Sequence, residues 1–270
     1  RLDLPGSKIM SLHLFQETFK DVLIIDAHAH LGAYHNFHIP FWQWPDCKET
    51  AQRLNFSHIL ASSTLAIAND AQRGNAALLE LVERESDLLS PYLVFKPNFP
   101  EYLPELVRIS TAGNIRTFKL HDDGNGLAYN HEAYMDFYTW AETQNAVLLF
   151  HTFGEIHVRP IMQIAETFKG LTCLLAHSGI VDEDLYVKAA LRYDNIYLEL
   201  ANSWSWFGLI ERLVKKVGAE RVLFGSDMPF LSPEQQLGRI ATARISDADK
   251  MSILGHNAVR LFGLNPGISA

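Results

Sequence analysis

The chain carries little of what marks secreted, membrane-spanning or nucleic-acid-binding proteins. It holds two cysteines in 270 residues, Cys47 and Cys173, with no pattern of a disulfide framework. Cys173 lies within the apolar run Leu171-Thr-Cys-Leu-Leu-Ala176 and reads as a small core hydrophobe, while Cys47 is expected in a loop. No apolar stretch approaches the roughly 20 residues that a membrane span requires. The opening Arg1-Leu-Asp-Leu-Pro-Gly-Ser7 lacks the apolar segment of a signal peptide, so the expected location is cytoplasmic. Positive charge is scarce as well. Lys and Arg number 23 against 31 Asp and Glu, the net charge is -8, and no basic run exceeds the pair Lys215-Lys216. Such a surface repels phosphate backbones and argues against nucleic acid as a partner. A linker rich in Pro, Gly or Ser is missing, and so is a Gly-x-Gly-x-x-Gly turn after the first strand. Those absences argue for a single domain over residues 1–270 and against a dinucleotide-binding doubly wound sheet.

What is present is an ordinary balance for a large core, 48% hydrophobic and 20% charged residues. Short β-rich apolar runs recur at Val22–Ala27, His58–Ser62, Tyr92–Lys96, Arg116–His121, Val147–His151, Thr172–His177, Ile196–Leu200 and Val222–Asp227. Their spacing of roughly 25 to 35 residues is that of a β/α unit. Helical periodicity fills the intervals, around residues 48–54, 70–85, 101–111, 131–144, 155–168, 182–191, 205–217 and 234–244. Strands alternating with helices imply a parallel sheet, and eight units close into a (β/α)8 TIM barrel. Segment 11–20 is expected to be a short helix covering the barrel bottom, and 247–264 two closing helices.

Placed on these strands, the polar residues gain meaning. His28 and His30 end the first strand two residues apart, so both face the same side. His151 ends the fifth strand, His177 the sixth and Asp227 the eighth. Strand C-termini of a barrel converge on one rim, where active sites are built. Imidazoles with a carboxylate suit zinc first, with manganese, iron, cobalt and nickel also compatible. Taken singly, His-x-His arises by chance, His151 or His177 fits a hydrogen-bonded core position, and Asp227 fits a turn cap. Their shared position at one rim is what joins them.

Six motifs stand in order: Ile25-Asp-Ala-His-Ala-His30, Phe118-Lys-Leu-His121, Leu149-Phe-His151, Leu175-Ala-His-Ser-Gly179, Leu223-Phe-Gly-Ser-Asp227 and Asn257-Ala-Val-Arg-Leu-Phe-Gly263. Together they resemble the amidohydrolase superfamily, in its amidohydrolase-related branch of small hydrolases and non-oxidative decarboxylases. The resemblance implies that His28, His30 and His151 bind a divalent metal, zinc first, and that Asp227 also ligates it and takes a proton from water. It makes His177 a general acid/base, or a second-metal ligand in two-metal relatives. Lys119, two residues before His121 and on the same face, is carbamylated in such relatives. Read as a plain residue, it is an ammonium for a substrate carboxylate or half of an ion pair with Asp26 or Glu199. One ion with catalytic Asp227, His177 and Lys119 is the expectation, and two ions bridged by a carbamylated Lys119 the alternative.

The implied reaction is hydrolysis of an amide, ester or lactone in a small, carboxylate-bearing molecule by a metal-activated water. The alternative is decarboxylation with the same residues, in which Lys119 or Arg159 meets the substrate carboxylate. A TatD-type deoxyribonuclease also opens on His-x-His but carries a Gly-Glu-x-Gly strand that is absent around Phe118–His121. A non-catalytic metal-binding barrel would have lost a ligand, and every expected ligand is present. The segment Gly32–Pro45, with five aromatics and two histidines, fits a lid over the mouth or a contact between copies in a homo-oligomer. His121, Trp42, Trp44 and Asn202 are candidate substrate contacts, as are His35, His38 and His157.

Overall fold

The computed structural model describes residues 19–36, 38–122, 125–204 and 206–265. Most of the expected covering helix at 11–20 lies outside the described residues. Eight strands follow in chain order: β1 (Ile25–Leu31), β2 (His58–Ser63), β3 (Leu89–Val94), β4 (Thr117–Leu120), β5 (Val147–Phe150), β6 (Thr172–Leu175), β7 (Ile196–Glu199) and β8 (Val222–Leu223). Each pairs in parallel with the next in one sheet, in the order β1 to β8. The bridge Ala29–Met228 returns the chain end to β1. Around that seam Ala27 N donates to Phe224 O, Asp227 N to His28 O and His30 N to Met228 O. This is the TIM-barrel architecture that the β/α alternation predicts. Among the described residues no helix is long and apolar enough to cross a membrane.

Parallel strands buried on both faces read as nearly continuous apolar runs, which is why these segments were visible. Alternate residues divide the core. Ile25, Leu60, Tyr92, Leu149, Leu174 and Leu223 form one buried cluster, closed by Phe262. A larger cluster, with Phe118, Leu148, Cys173, Leu198 and Phe224, fills the layer between strands and helices. The inward cluster supports the floor on which the rim residues stand.

Several boundaries differ from the sequence reading. β1 begins three residues later and runs on through the histidines, because His30 and Leu31 pair with Ser62 and Ser63. A bulge between Asp26 and Ala29 shifts its register, as bulges do where side chains must be re-aimed. β3 takes in Leu89–Pro91, which the proline had obscured. Cys47 is not in a loop: Pro45 starts a helix over Trp44–Arg53, and the thiol is buried in it. The closing segment consists of α-helical Asp247–Met251 and Asn257–Phe262 joined by a π-helical turn, Ser252–His256.

Candidate metal centre and active site

Two residues of β1 and one following β8 meet at the C-terminal rim. His28 Nε2 stands 3.1 Å from His30 Nε2, and Asp227 Oδ1 lies 3.1 Å from His30 Nε2 and 3.6 Å from His28 Nε2. All three residues are buried. The opposite ring nitrogens are already engaged: His28 Nδ1 with Glu199 Oε2 at 2.9 Å, and His30 Nδ1 with Ser62 Oγ at 2.9 Å. A ring that donates through Nδ1 presents a lone pair at Nε2. Two lone pairs and a carboxylate oxygen thus converge, and Asp227 Oδ1 is buried without a well-formed hydrogen bond. An orphaned buried oxygen facing two acceptor nitrogens is costly in a bare protein and fits a divalent cation.

The electrostatics agree. Burial, then the neighbouring Lys119, holds His28 well below the ordinary imidazole range, and burial lowers His30, His121, His151 and His177 as well. Neutral rings are the form that binds metal. Burial would raise Asp227, but the proximity of His30 and His177 outweighs it and keeps the carboxylate ionised. His177 and Asp227 both adopt left-handed backbone, each at φ 57°. Non-glycine residues rarely take that conformation, and it concentrates at functional positions.

His177 stands beside the centre, its ring centroid 5.1 Å from that of His28 and its Nδ1 held by Ala201 O at 2.7 Å. His151 lies one ring further out, 5.0 Å from His177, and stacks on His121 at 4.1 Å. Among the described residues the groups with metal-binding spacing are His28, His30 and Asp227, and His28, His177 and Glu199; His151 is in neither. Lys119 is fully buried with Nζ 3.0 Å from His28 Nε2, and burial lowers it to about 8. Asp26 anchors the seam by accepting from Ser226 N at 2.8 Å and His28 N at 3.1 Å.

Other candidates stand elsewhere. Trp44 is buried in the strand–helix layer. Trp42 is half-buried, and its carbonyl accepts from Gly32 N, tying the ends of the β1 loop. Asn202 is buried within the loop after β7, where its backbone N–H and carbonyl pair with the Gln236 amide. His157 is spoken for: Nδ1 accepts from Phe153 N at 2.7 Å and Nε2 meets Asp122 at 2.9 Å. Arg159 is exposed and paired with Glu155, one turn before it. His35 and His38 are exposed. Sequence reasoning gave Glu199 no role at the metal, although a carboxylate ending an apolar strand is the same signal that marked Asp227. At the rim, exposed Phe153 and Trp204 meet edge to face at 6.0 Å, beside exposed Val181, in the loops that follow β5, β7 and β6. A cavity of about 1200 Å³ opens at the opposite end of the barrel between Asp21, His58, Asp87 and His256 and includes none of the site residues.

Fold and site together define a metal-dependent enzyme built on a (β/α)8 barrel. The amidohydrolase 2 family model, described as "Amidohydrolase", matches residues 25–264, and the chain belongs to that family. A comparison with curated protein sequences finds no match. Among solved structures, 2,6-dihydroxybenzoate decarboxylase complexed with 2,6-dihydroxybenzoate is similar at TM-score 0.73 and 16% identity, over 90% of this chain and 100% of that one. A dihydroxybenzoic acid decarboxylase from a Polaromonas species, with manganese and 2-nitroresorcinol bound, is similar at TM-score 0.70 and 16% identity, over 90% of this chain and 98% of that one. A probable 2-pyrone-4,6-dicarboxylic acid hydrolase from Acinetobacter baumannii, with citric acid bound, gives TM-score 0.69 and 16% identity, over 89% and 99% of the two chains. At these identities the likeness shows the shared fold.

Proposed function

We propose that the chain is a metal-dependent, non-oxidative decarboxylase of a small aromatic carboxylate. The observation that carries this reading is the combination at one rim of the His28–His30–Asp227 centre, the buried amine of Lys119 and the apolar Phe153–Trp204 pair. A carboxylate on an aromatic ring calls for these three surfaces: a Lewis acid for the developing charge, an ammonium for the anion, and an apolar wall for the ring. Decarboxylases among the similar folds support it, which shifts the emphasis from the hydrolysis that the sequence resemblance put first.

His28, His30 and Asp227 would hold one cation, zinc or manganese, with His151 and His177 beside it. When bound, the metal supplies Lewis acidity against the negative charge that develops as carbon dioxide leaves. Lys119 in its ammonium form holds the substrate carboxylate. The bond between ring carbon and carboxyl carbon breaks with its electron pair left on the ring, and a proton from His177 replaces the departing group. Burial lowers the pKa of His177, so the ring rests neutral and would relay a proton drawn from solvent to the ring carbon. Loops bearing Phe153 and Trp204 flank the place where the ring would lie.

Hydrolysis of a lactone or ester is the second reading, favoured by the ionised Asp227 and neutral His177 as a pair able to take a proton from water. The deciding experiment supplies zinc- or manganese-loaded protein with carboxyl-13C hydroxybenzoates and with pyrone carboxylates. Labelled carbon dioxide, lost on chelation, supports decarboxylation. Ring opening of the pyrones without carbon dioxide release moves the assignment to hydrolysis.

A further inference from the structure

Strand β7 ends in a carboxylate that the reaction above does not touch. Glu199 is fully buried, yet it is surrounded by donors rather than by a cation. Its Oε2 accepts from His28 Nδ1 at 2.9 Å and from His177 N at 3.3 Å, while Oε1 accepts from Ala201 N. Ala201 in turn holds His177 Nδ1 through its carbonyl at 2.7 Å. One side chain therefore touches a metal-facing histidine, the backbone of the proton-carrying histidine and the residue that orients that second ring. Gly225 makes room for it. A Cβ there would stand 2.2 Å from Glu199 Oε1 and 2.7 Å from His28 Cβ, closer than atoms pack. The carboxylate is thus wedged between β8 and β1, in a space that only glycine leaves open.

Glu199 also belongs to the second group with metal-binding spacing, together with His28 and His177. The two groups compete for one imidazole. His28 uses Nδ1 toward Glu199 and Nε2 toward His30, and a neutral ring has one proton for its two nitrogens. A proton on Nδ1, donated to Glu199, leaves Nε2 free to bind. We propose that Glu199 is the positioning residue of the centre: it fixes the Nδ1–H tautomer of His28 and, through the His177 N–H, sets the proton carrier in the same act. This rests on the metal-binding reading above. It excludes Glu199 as a ligand, and makes metal affinity and the placement of His177 depend on one carboxylate.

Glu199→Gln tests the idea because it keeps size and shape while exchanging one acceptor oxygen for an NH2 group. Three donors then face one oxygen and one donor group. His28 resolves the clash by accepting at Nδ1, which moves its proton to Nε2 and blocks the metal-facing nitrogen. Long-range 15N–1H NMR on the metal-free protein above pH 8, where Glu199 is ionised, should report the Nδ1–H tautomer for His28 in the wild type and Nε2–H in the variant. Manganese or zinc titrated calorimetrically into each should bind about 10- to 100-fold more weakly to the variant, the usual cost of losing such a partner. An Nε2–H tautomer in the wild type overturns the proposal even if the variant does not fold. Metal affinity within twofold in a folded variant overturns it too. A wild type that shows the Nδ1–H tautomer and binds neither metal instead overturns the metal reading and leaves the tautomer assignment standing.

Discussion

Lys119 Nζ lies 3.0 Å from His28 Nε2, the same nitrogen that faces His30 and Asp227. A buried ammonium and a metal cation cannot both use that lone pair, so loading the site would turn Lys119 away from His28 and free it for the carboxylate contact proposed above. Lys119→Met should stabilise the metal-free protein by up to about 3 kcal/mol at pH 7, since the native lysine must stay charged against burial. In the loaded enzyme it should lower kcat/KM for a carboxylate substrate by roughly 10- to 100-fold, the value of a hydrogen bond to a charged group. Urea titration and steady-state kinetics read the two effects, and a variant no more stable without metal contradicts the first.

Divalent metal should stabilise the fold. At about 100 times its dissociation constant, a ligand that binds only the folded state contributes about 2.7 kcal/mol. For a chain of this size that raises the melting temperature by roughly 5 to 10 °C. Scanning calorimetry with and without chelator measures it. A melting temperature indifferent to zinc and manganese would contradict the site.

Asp227→Asn keeps the side-chain shape and removes the charge from a buried carboxylate at the centre. Activity should fall by at least about 10- to 100-fold through weaker metal binding, the loss that removing even an outer partner of a metal ligand brings. The metal-free variant should unfold at a lower temperature, because the folded chain holds the Asp227 carboxylate below its ordinary range and asparagine forfeits that interaction. Full activity at saturating metal would remove Asp227 from the mechanism.

The metal-free protein should lose stability between about pH 6.5 and 8. Burial lifts Asp26 to about 7 and Glu199 to about 8, so the folded chain keeps protons that the unfolded chain has already released. Stability then falls as pH rises through those values, by on the order of 2 to 3 kcal/mol. The buried histidines act in the opposite sense, but only below their unfolded value near 6.5. Lys119, lowered to about 8, adds stability above that pH and should check the decline. Chemical denaturation at half-unit pH steps would show the fall, and a flat profile from 6.5 to 8 would refute it.

Trp204→Ala and Phe153→Ala should raise KM for an aromatic carboxylate several-fold and leave kcat within about threefold. An exposed edge-to-face pair offers ring contact worth about 0.5–1.5 kcal/mol rather than proton transfer. An unchanged KM in the double variant would place substrate elsewhere.

The barrel was legible because buried parallel strands leave apolar runs at a regular spacing; Val147–Phe150 and Thr172–Leu175 lie within the runs that marked them. His28, His30 and Asp227 stood out because polar groups at the ends of such runs are costly unless used. Glu199 carried the same mark, but its bond to His28 joins β7 to β1 and becomes visible only once the sheet has closed. Trp44 misled for the opposite reason: aromatic content says nothing of which ring turns inward, although Pro45 signalled a helix start there. Arg159 had a readable partner four residues back in Glu155. The short β8 and the bulged β1 were least legible, since their form is set by each other across the seam.

That seam has a consequence for biosynthesis. Asp26 and Ser226, joined by hydrogen bonds, are 200 positions apart, and the histidines of β1 wait for Asp227 over a similar length of chain. While the protein is being translated, His28 and His30 emerge early and stay incomplete as a chelate until the last strand leaves the ribosome. Nascent chains should therefore acquire their ion only once the segment bearing Asp227 has emerged, and truncation before residue 227 should abolish high-affinity loading.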